Sequence, residues 1–133
     1  MRALYLANDE AIRLRHDHVA TGHLLLGVLR FDHSRAARAL VGLGVNPTEL
    51  RSAIEARLDP GTSRLHVEPQ LTPGSRKAIQ FAVDEARRLD LQYMGTEHLL
   101  LGLIREGEGI AARVLDTLGV EIDRARLEVE RLA

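Results

Sequence analysis

The chain has 133 residues, with 18 Lys+Arg against 19 Asp+Glu, no cysteine and 3% aromatics. That length can bury a core without staples, the near balance of charge leaves no global basic field for a nucleic-acid backbone, and few aromatics and no Trp leave no stacking platform for single strands. Without cysteine there is no disulfide framework, thiol nucleophile or cysteine-bearing zinc site, which fits a reducing cytoplasm; the apolar runs are too short to span a bilayer, and the start of the chain carries no signal-peptide segment.

Ala, Leu, Arg and Glu dominate, which favours helix. In residues 1–15, Leu4, Ala7, Ala11 and Leu14 recur at spacings of three and four and predict a helix with one apolar stripe. Asp17 and His18 make a turn, and Thr21 is read as N-cap of a second helix over about 22–31. Ser34 caps a third, closed by Gly44 at C′. Asn46-Pro47-Thr48-Glu49 combines a cap, an N1 proline and a capping-box carboxylate, and opens a fourth helix to about Leu58. Asp59-Pro60-Gly61-Thr62-Ser63 breaks the pattern, so 59–70 is read as a linker. Thr72-Pro73 opens a helix over about 72–90, Thr96 is read as cap of the next, Glu106-Gly107-Glu108-Gly109 is a turn, and two more helices cover 110–118 and 122–132. No segment alternates with period two.

The second half repeats the first. Thr21-Gly22-His23-Leu24-Leu25-Leu26-Gly27 is echoed by Thr96-Glu97-His98-Leu99-Leu100-Leu101-Gly102, an offset of 75 residues. Carried outward without a gap, the offset aligns 1–58 with 76–133, and about 23 of the 58 pairs are identical. Such self-similarity sets the architecture. The expectation is all-α: two tandem four-helix repeats (1–58 and 71–133) around a pseudo-twofold axis, joined by 59–70 in a single domain. One repeat cannot bury its apolar faces alone, so the two should share a core.

The candidate chemistry is sparse. His16 and His18 flank Asp17, but Leu91 and Tyr93 stand at the equivalent positions of repeat two, so they read as solvated turn histidines rather than metal ligands, and with His33 and His66 they assemble no ligand set. His23 and His98 recur near the start of a helix, where capping or packing is expected, and no Ser or Cys nucleophile is spaced to use them. No phosphate-binding Gly-rich loop is present. Glu106 and Glu108, between glycines, read as a solvated turn. No catalytic residue, metal or cofactor is therefore expected. Thr72 and Thr96 at helix starts, with Glu97 in a first turn, have two readings: caps and a carboxylate complementing the macrodipole, or a site for a ligand carrying both an anion and a guanidinium.

Gly95-Thr96-Glu97-His98 through Leu115, with Leu71-Thr72-Pro73 through Ala86 and Leu118-Gly119-Val120, closely resembles the N-terminal domain of ClpC-type Clp unfoldases, and the resemblance covers essentially the whole chain as the family's double repeat. It implies a non-catalytic module that docks adaptor proteins and substrates for a Clp unfoldase and its peptidase. In some ClpC-type members such a domain also recognises phosphoarginine, using the Thr before Pro and the Glu of Gly-Thr-Glu-His in each repeat. By position these are Thr72 and Glu97, with Thr96 beside them. Repeat one departs from the pattern. Gly22 replaces the Glu, Ala20 replaces the Gly, and the counterpart of Thr72 falls before Met1. The resemblance thus implies at most one phosphoarginine site per chain. No ATPase sequence is present, and the alternative is a stand-alone regulatory or decoy protein that binds adaptors, or small molecules aimed at such domains, without reading phosphoarginine.

Overall fold

The computed structural model describes residues 2–31, 33–58, 61 and 68–132. Over these the order is α1 (Arg2–Arg13), β1 (His18–Val19), α2 (Thr21–Leu29), α3 (Arg35–Gly42), α4 (Pro47–Arg57), β2 (Gln70–Leu71), α5 (Pro73–Arg88), α6 (Thr96–Glu106), α7 (Ile110–Thr117) and α8 (Ile122–Arg131). The fold is all-α, four helices per repeat. The linker expectation for 59–70 falls mostly on residues outside those described. Among the described residues no helix is long and apolar enough to cross a membrane.

One small addition to the expected plan is a parallel pairing of β1 with β2, His18 opposite Gln70 and Val19 opposite Leu71. Two residues per strand are too few to leave an alternating pattern. The pairing ties the return of the linker to the turn between α1 and α2.

Helices α1 and α2 form an antiparallel hairpin, and α5 and α6 form its counterpart. All nine residues of α2 are buried, as is most of α6, because these helices are apolar nearly all round and lie at the centre. The close approach within each hairpin is set by glycine. Gly27 of α2 faces the backbone of Ala3 and Ala7, and Gly102 of α6 faces Ala78 and Ala82. These residues are related by the repeat offset, and all four alanines are buried.

The copies interlock rather than sit side by side. The third helix of each packs on the second and fourth helices of the other: α3 on α6 and α8, α7 on α2 and α4. One hydrophobic cluster therefore runs through both repeats, from Leu24, Leu40 and Ile54 to Leu99, Leu103 and Leu115. Gly44 and Gly119, with φ of +83° and +81°, end α3 and α7 in the left-handed conformation expected at C′.

Candidate functional site

The interlock brings the amino-terminal ends of helices together in pairs. At one corner the start of α6 meets the start of α3. Gly95, not Thr96, is the N-cap of α6, with extended backbone at φ −90° and ψ 175°. Thr96 is the first helical residue, and its hydroxyl accepts a hydrogen bond from the N–H of Ala36 at 3.3 Å. The threonine read as a cap of its own helix thus caps the third helix of the other repeat. Ser34 caps α3 locally, accepting from the N–H of Ala37 at 3.1 Å. Glu97 is buried (5% exposed). Its Oε2 accepts from Nη1 of Arg35 at 3.2 Å. The other carboxylate oxygen lies over Gly95, where any side chain would collide with it. Beside this pair an open hollow of about 550 Å³ is lined by Arg30, Phe31, His33, Ser34 and Thr96.

The second corner, where α2 and α7 begin, is built on the same plan with different chemistry. Ala20 is the N-cap of α2, so the cap reading of Thr21 is corrected in the same way. The Thr21 hydroxyl accepts from the N–H of Ala111 at 3.3 Å, the repeat image of the Thr96 bond. Gly22 stands where Glu97 stands, and a Cβ there would lie 3.4 Å from Ile110, which occupies the place of Arg35. Glu106 is buried, not solvated as the turn reading held. Its Oε1 accepts from the N–H groups of Gly109 at 2.8 Å and Glu108 at 3.2 Å, compensating free donors at the start of α7. Glu108 itself is exposed.

Thr72 belongs to this second corner. It caps α5 as expected, accepting from the N–H of Ser75 at 3.1 Å. The Ser75 hydroxyl donates to the carbonyl of Val19 at 2.7 Å. The next residue but one, Gly74, lies beside Glu106 and Thr21. Because α5 and α6 are antiparallel, with Gly102 packed between Ala78 and Ala82, Thr72 and Glu97 sit at opposite ends of their hairpin, separated by roughly 20 Å of helical rise. Of the three residues expected around one pocket, the structure gathers Thr96 and Glu97 and leaves Thr72 apart. Sequence spacing within a repeat hides this, because each corner is assembled from both repeats.

The recurrent histidines are buried first-turn groups. Nδ1 of His23 accepts from the N–H of Ala20 at 2.9 Å, and Nδ1 of His98 from that of Gly95 at 2.8 Å. With Nδ1 accepting, the His23 proton resides on Nε2, which donates to Nδ1 of His16 at 2.8 Å. His16 and His18 thus gather around His23, while His66 lies outside the described residues. Among those described, no group of three His, Asp or Glu side chains is placed to hold a metal ion. Burial lowers the pKa of His23 to about 4, helped by the charges of His16 and His18. His98 is lowered too, chiefly by burial. Both are therefore neutral in the fold. The stability they share is complete above the unfolded value near 6.5 and declines as pH falls from there toward the folded value. For His23 alone, stability is expected to be about 2 kcal/mol lower at pH 5 than at pH 7. Urea unfolding at the two pH values checks this, and an unchanged midpoint would contradict it.

Sequence reasoning missed a second symmetric pair. Glu85 on α5 is buried. It receives two hydrogen bonds from Arg126 of α8, at 2.8 and 3.1 Å, and one each from Arg105 at 2.8 Å and Arg88 at 3.4 Å. Burial pushes its carboxyl up, but the Arg126 hydrogen bonds and the surrounding guanidiniums outweigh this and hold it below the ordinary glutamate value. In repeat one Glu10 plays the same part with Arg13 and Arg51. The available signal was that all three pairs (Glu10/Glu85, Arg13/Arg88, Arg51/Arg126) are identical across the offset.

The family described as the Clp repeat (R) N-terminal domain matches residues 1–90 and 70–133. The chain is 44% identical over 131 residues to the negative regulator of genetic competence ClpC/MecB of Bacillus subtilis, covering 98% of this chain and 16% of that protein. It is 43% identical over 134 residues to the chaperone protein ClpB of Oceanobacillus iheyensis, again with coverage of 98% and 16%. It thus spans about a sixth of the length of these relatives. Among solved structures, the N-terminal domain of ClpD from Arabidopsis thaliana superposes with a TM-score of 0.74 at 28% identity, covering 98% of this chain and 90% of that one. A ClpV N-domain in complex with a VipB peptide shares the fold, with a TM-score of 0.63 at 22% identity and coverage of 92% and 83%.

Proposed function

The chain belongs to the Clp repeat N-terminal domain family, and from that premise we propose that it is a non-catalytic cytoplasmic recognition module. It docks adaptor or substrate segments for a Clp unfoldase and reads a phosphorylated arginine at the corner where α6 meets α3. A domain of this fold with a bound peptide, the ClpV N-domain with VipB, supports the docking role. The observation that carries the finer reading is Glu97: a buried carboxylate already within hydrogen-bond distance of a guanidinium, beside a hollow flanked by Arg30 and His33. Glu97 takes the guanidinium, and the Arg30 guanidinium on the rim takes the phosphoryl group. Thr96 holds α3 in place, and Thr72, at the other corner, has no part in this pocket. The second corner has Gly22 and Ile110 in the places of Glu97 and Arg35, and its carboxylate, Glu106, is already engaged by the N–H groups of Glu108 and Gly109.

Calorimetric titration of the chain with free phosphoarginine tests this. The expected result is saturable binding near one ligand per chain, weakened at least about tenfold in Glu97→Ala, as for loss of one charge-assisted contact. Helicity and melting should change little, since the ion pair removed is half exposed on its arginine side. The rival is a regulatory or decoy protein whose surfaces bind an adaptor without reading the mark. The prior occupation of Glu97 by Arg35 favours it, and protein binding indifferent to Glu97→Ala, with no phosphoarginine uptake, would establish it.

A further inference from the structure

We propose that Arg35 determines the specificity of this pocket, by an exchange of ion pairs that an unmodified arginine cannot complete. The inference rests on the reading of Glu97 as the carboxylate that receives the ligand.

The two members of the pair differ in freedom. The Glu97 side chain is 7% exposed and that of Arg35 is 47% exposed. Glu97 is held by burial. Arg35 reaches it through one nitrogen at 3.2 Å, longer than the 2.7–2.9 Å of a strong charge-assisted bond. Among the described residues it makes no paired, fork-like contact with the carboxylate. A single-contact pair with a half-exposed guanidinium contributes little to stability, so it is readily opened.

Opening it has different consequences for two ligands. A plain guanidinium that takes Glu97 sets Arg35 loose, so one ion pair is made and one is lost. A phosphorylated guanidinium brings its own anion. Arg35 opens α3 next to Ser34, which lines the hollow with Arg30 and His33, and in this proposal it turns from Glu97 to pair with the phosphoryl oxygens. Two ion pairs then stand where one stood. The carboxylate thus accepts a guanidinium at no loss only when that guanidinium carries an anion.

The other corner is an internal control for the pairing. There the carboxylate is replaced by Gly22 and the guanidinium by Ile110, and the two positions again adjoin. Both charges are present at one corner and both are absent at the other. Within this chain neither position carries its charge without the other.

The test is titration of the whole chain, as wild type, Arg35→Gln and Glu97→Gln, with free phosphoarginine and with free arginine, helicity and melting being followed for each. Wild type is expected to prefer phosphoarginine by at least about tenfold. In Arg35→Gln that preference should shrink to a few-fold or less, with arginine gaining affinity because its competitor is gone, and Glu97→Gln should lose both ligands. If Arg35→Gln binds with the wild-type preference, the role of Arg35 is overturned while the pocket reading stands. If neither ligand binds wild type or Arg35→Gln, both folded, the pocket reading falls and this inference with it.

Discussion

Gly102→Ala is expected to destabilise the fold by about 3 kcal/mol, and Gly27→Ala by a similar amount. An added Cβ at Gly102 would lie 2.2 Å from the Ala78 carbonyl oxygen and 2.7 Å from the Ala82 nitrogen. Both are helix backbone, so no side chain can swing away. The α5–α6 hairpin must open, and opening it loosens the packing of Ala78 and Ala82 against a helix that is the centre of the core. Helix propensity pulls the other way, favouring alanine over glycine by about 1 kcal/mol. The steric term is larger because the neighbouring atoms belong to rigid elements. Gly74→Ala is the matched control. Its Cβ would meet nothing nearer than a Glu106 carboxylate oxygen at 3.5 Å, an ordinary contact. Alanine there should be neutral or slightly stabilising. Thermal melting of the three variants decides it. If Gly102→Ala melted with wild type, the hairpin would be more loosely packed than described.

Glu85→Ala is expected to cost about 3 kcal/mol. It removes the one carboxylate that Arg88, Arg105 and Arg126 share. The full penalty for an unpaired buried charge does not apply, since these guanidiniums are 24% to 56% exposed and can turn to water. What is lost is the tie between α5 and α8. Glu10→Ala, with two arginine partners instead of three, should cost less. Denaturant unfolding of both variants measures the difference. A loss below about 1 kcal/mol for Glu85→Ala would place the network among ordinary surface ion pairs.

Much of the architecture was legible because it is written in local spacing. Leu4, Ala7, Ala11 and Leu14 mark the inner face of α1 at intervals that need no knowledge of the fold. Ser34, Asn46 and Thr72 cap the helices that follow them, as their positions predict. Thr21 and Thr96 were read by the same rule and differ by one place, because the residue before each takes the cap conformation and the imidazole three residues on reaches back to its N–H. A threonine hydroxyl can accept from its own helix or from another, and the sequence is the same in both cases. Glu106 was read as solvated for a like reason. Flanking glycines signal a turn, but not that the turn lies against α5 and covers the carboxylate.

The repeat, the helical class, the apolar faces and the residues able to act as caps can be read from the chain alone, since each depends on neighbours three or four places away or on identity across a fixed offset. Which helix ends meet is set by the packing of the two repeats. The third helix of each repeat lies on the other repeat, so Thr96 caps α3, Thr21 caps α7, Thr72 stands at the corner opposite Glu97, and Arg35 reaches the carboxylate. These contacts join residues 60 or more places apart. They follow from burying two incomplete apolar faces against each other, which no spacing within one repeat records.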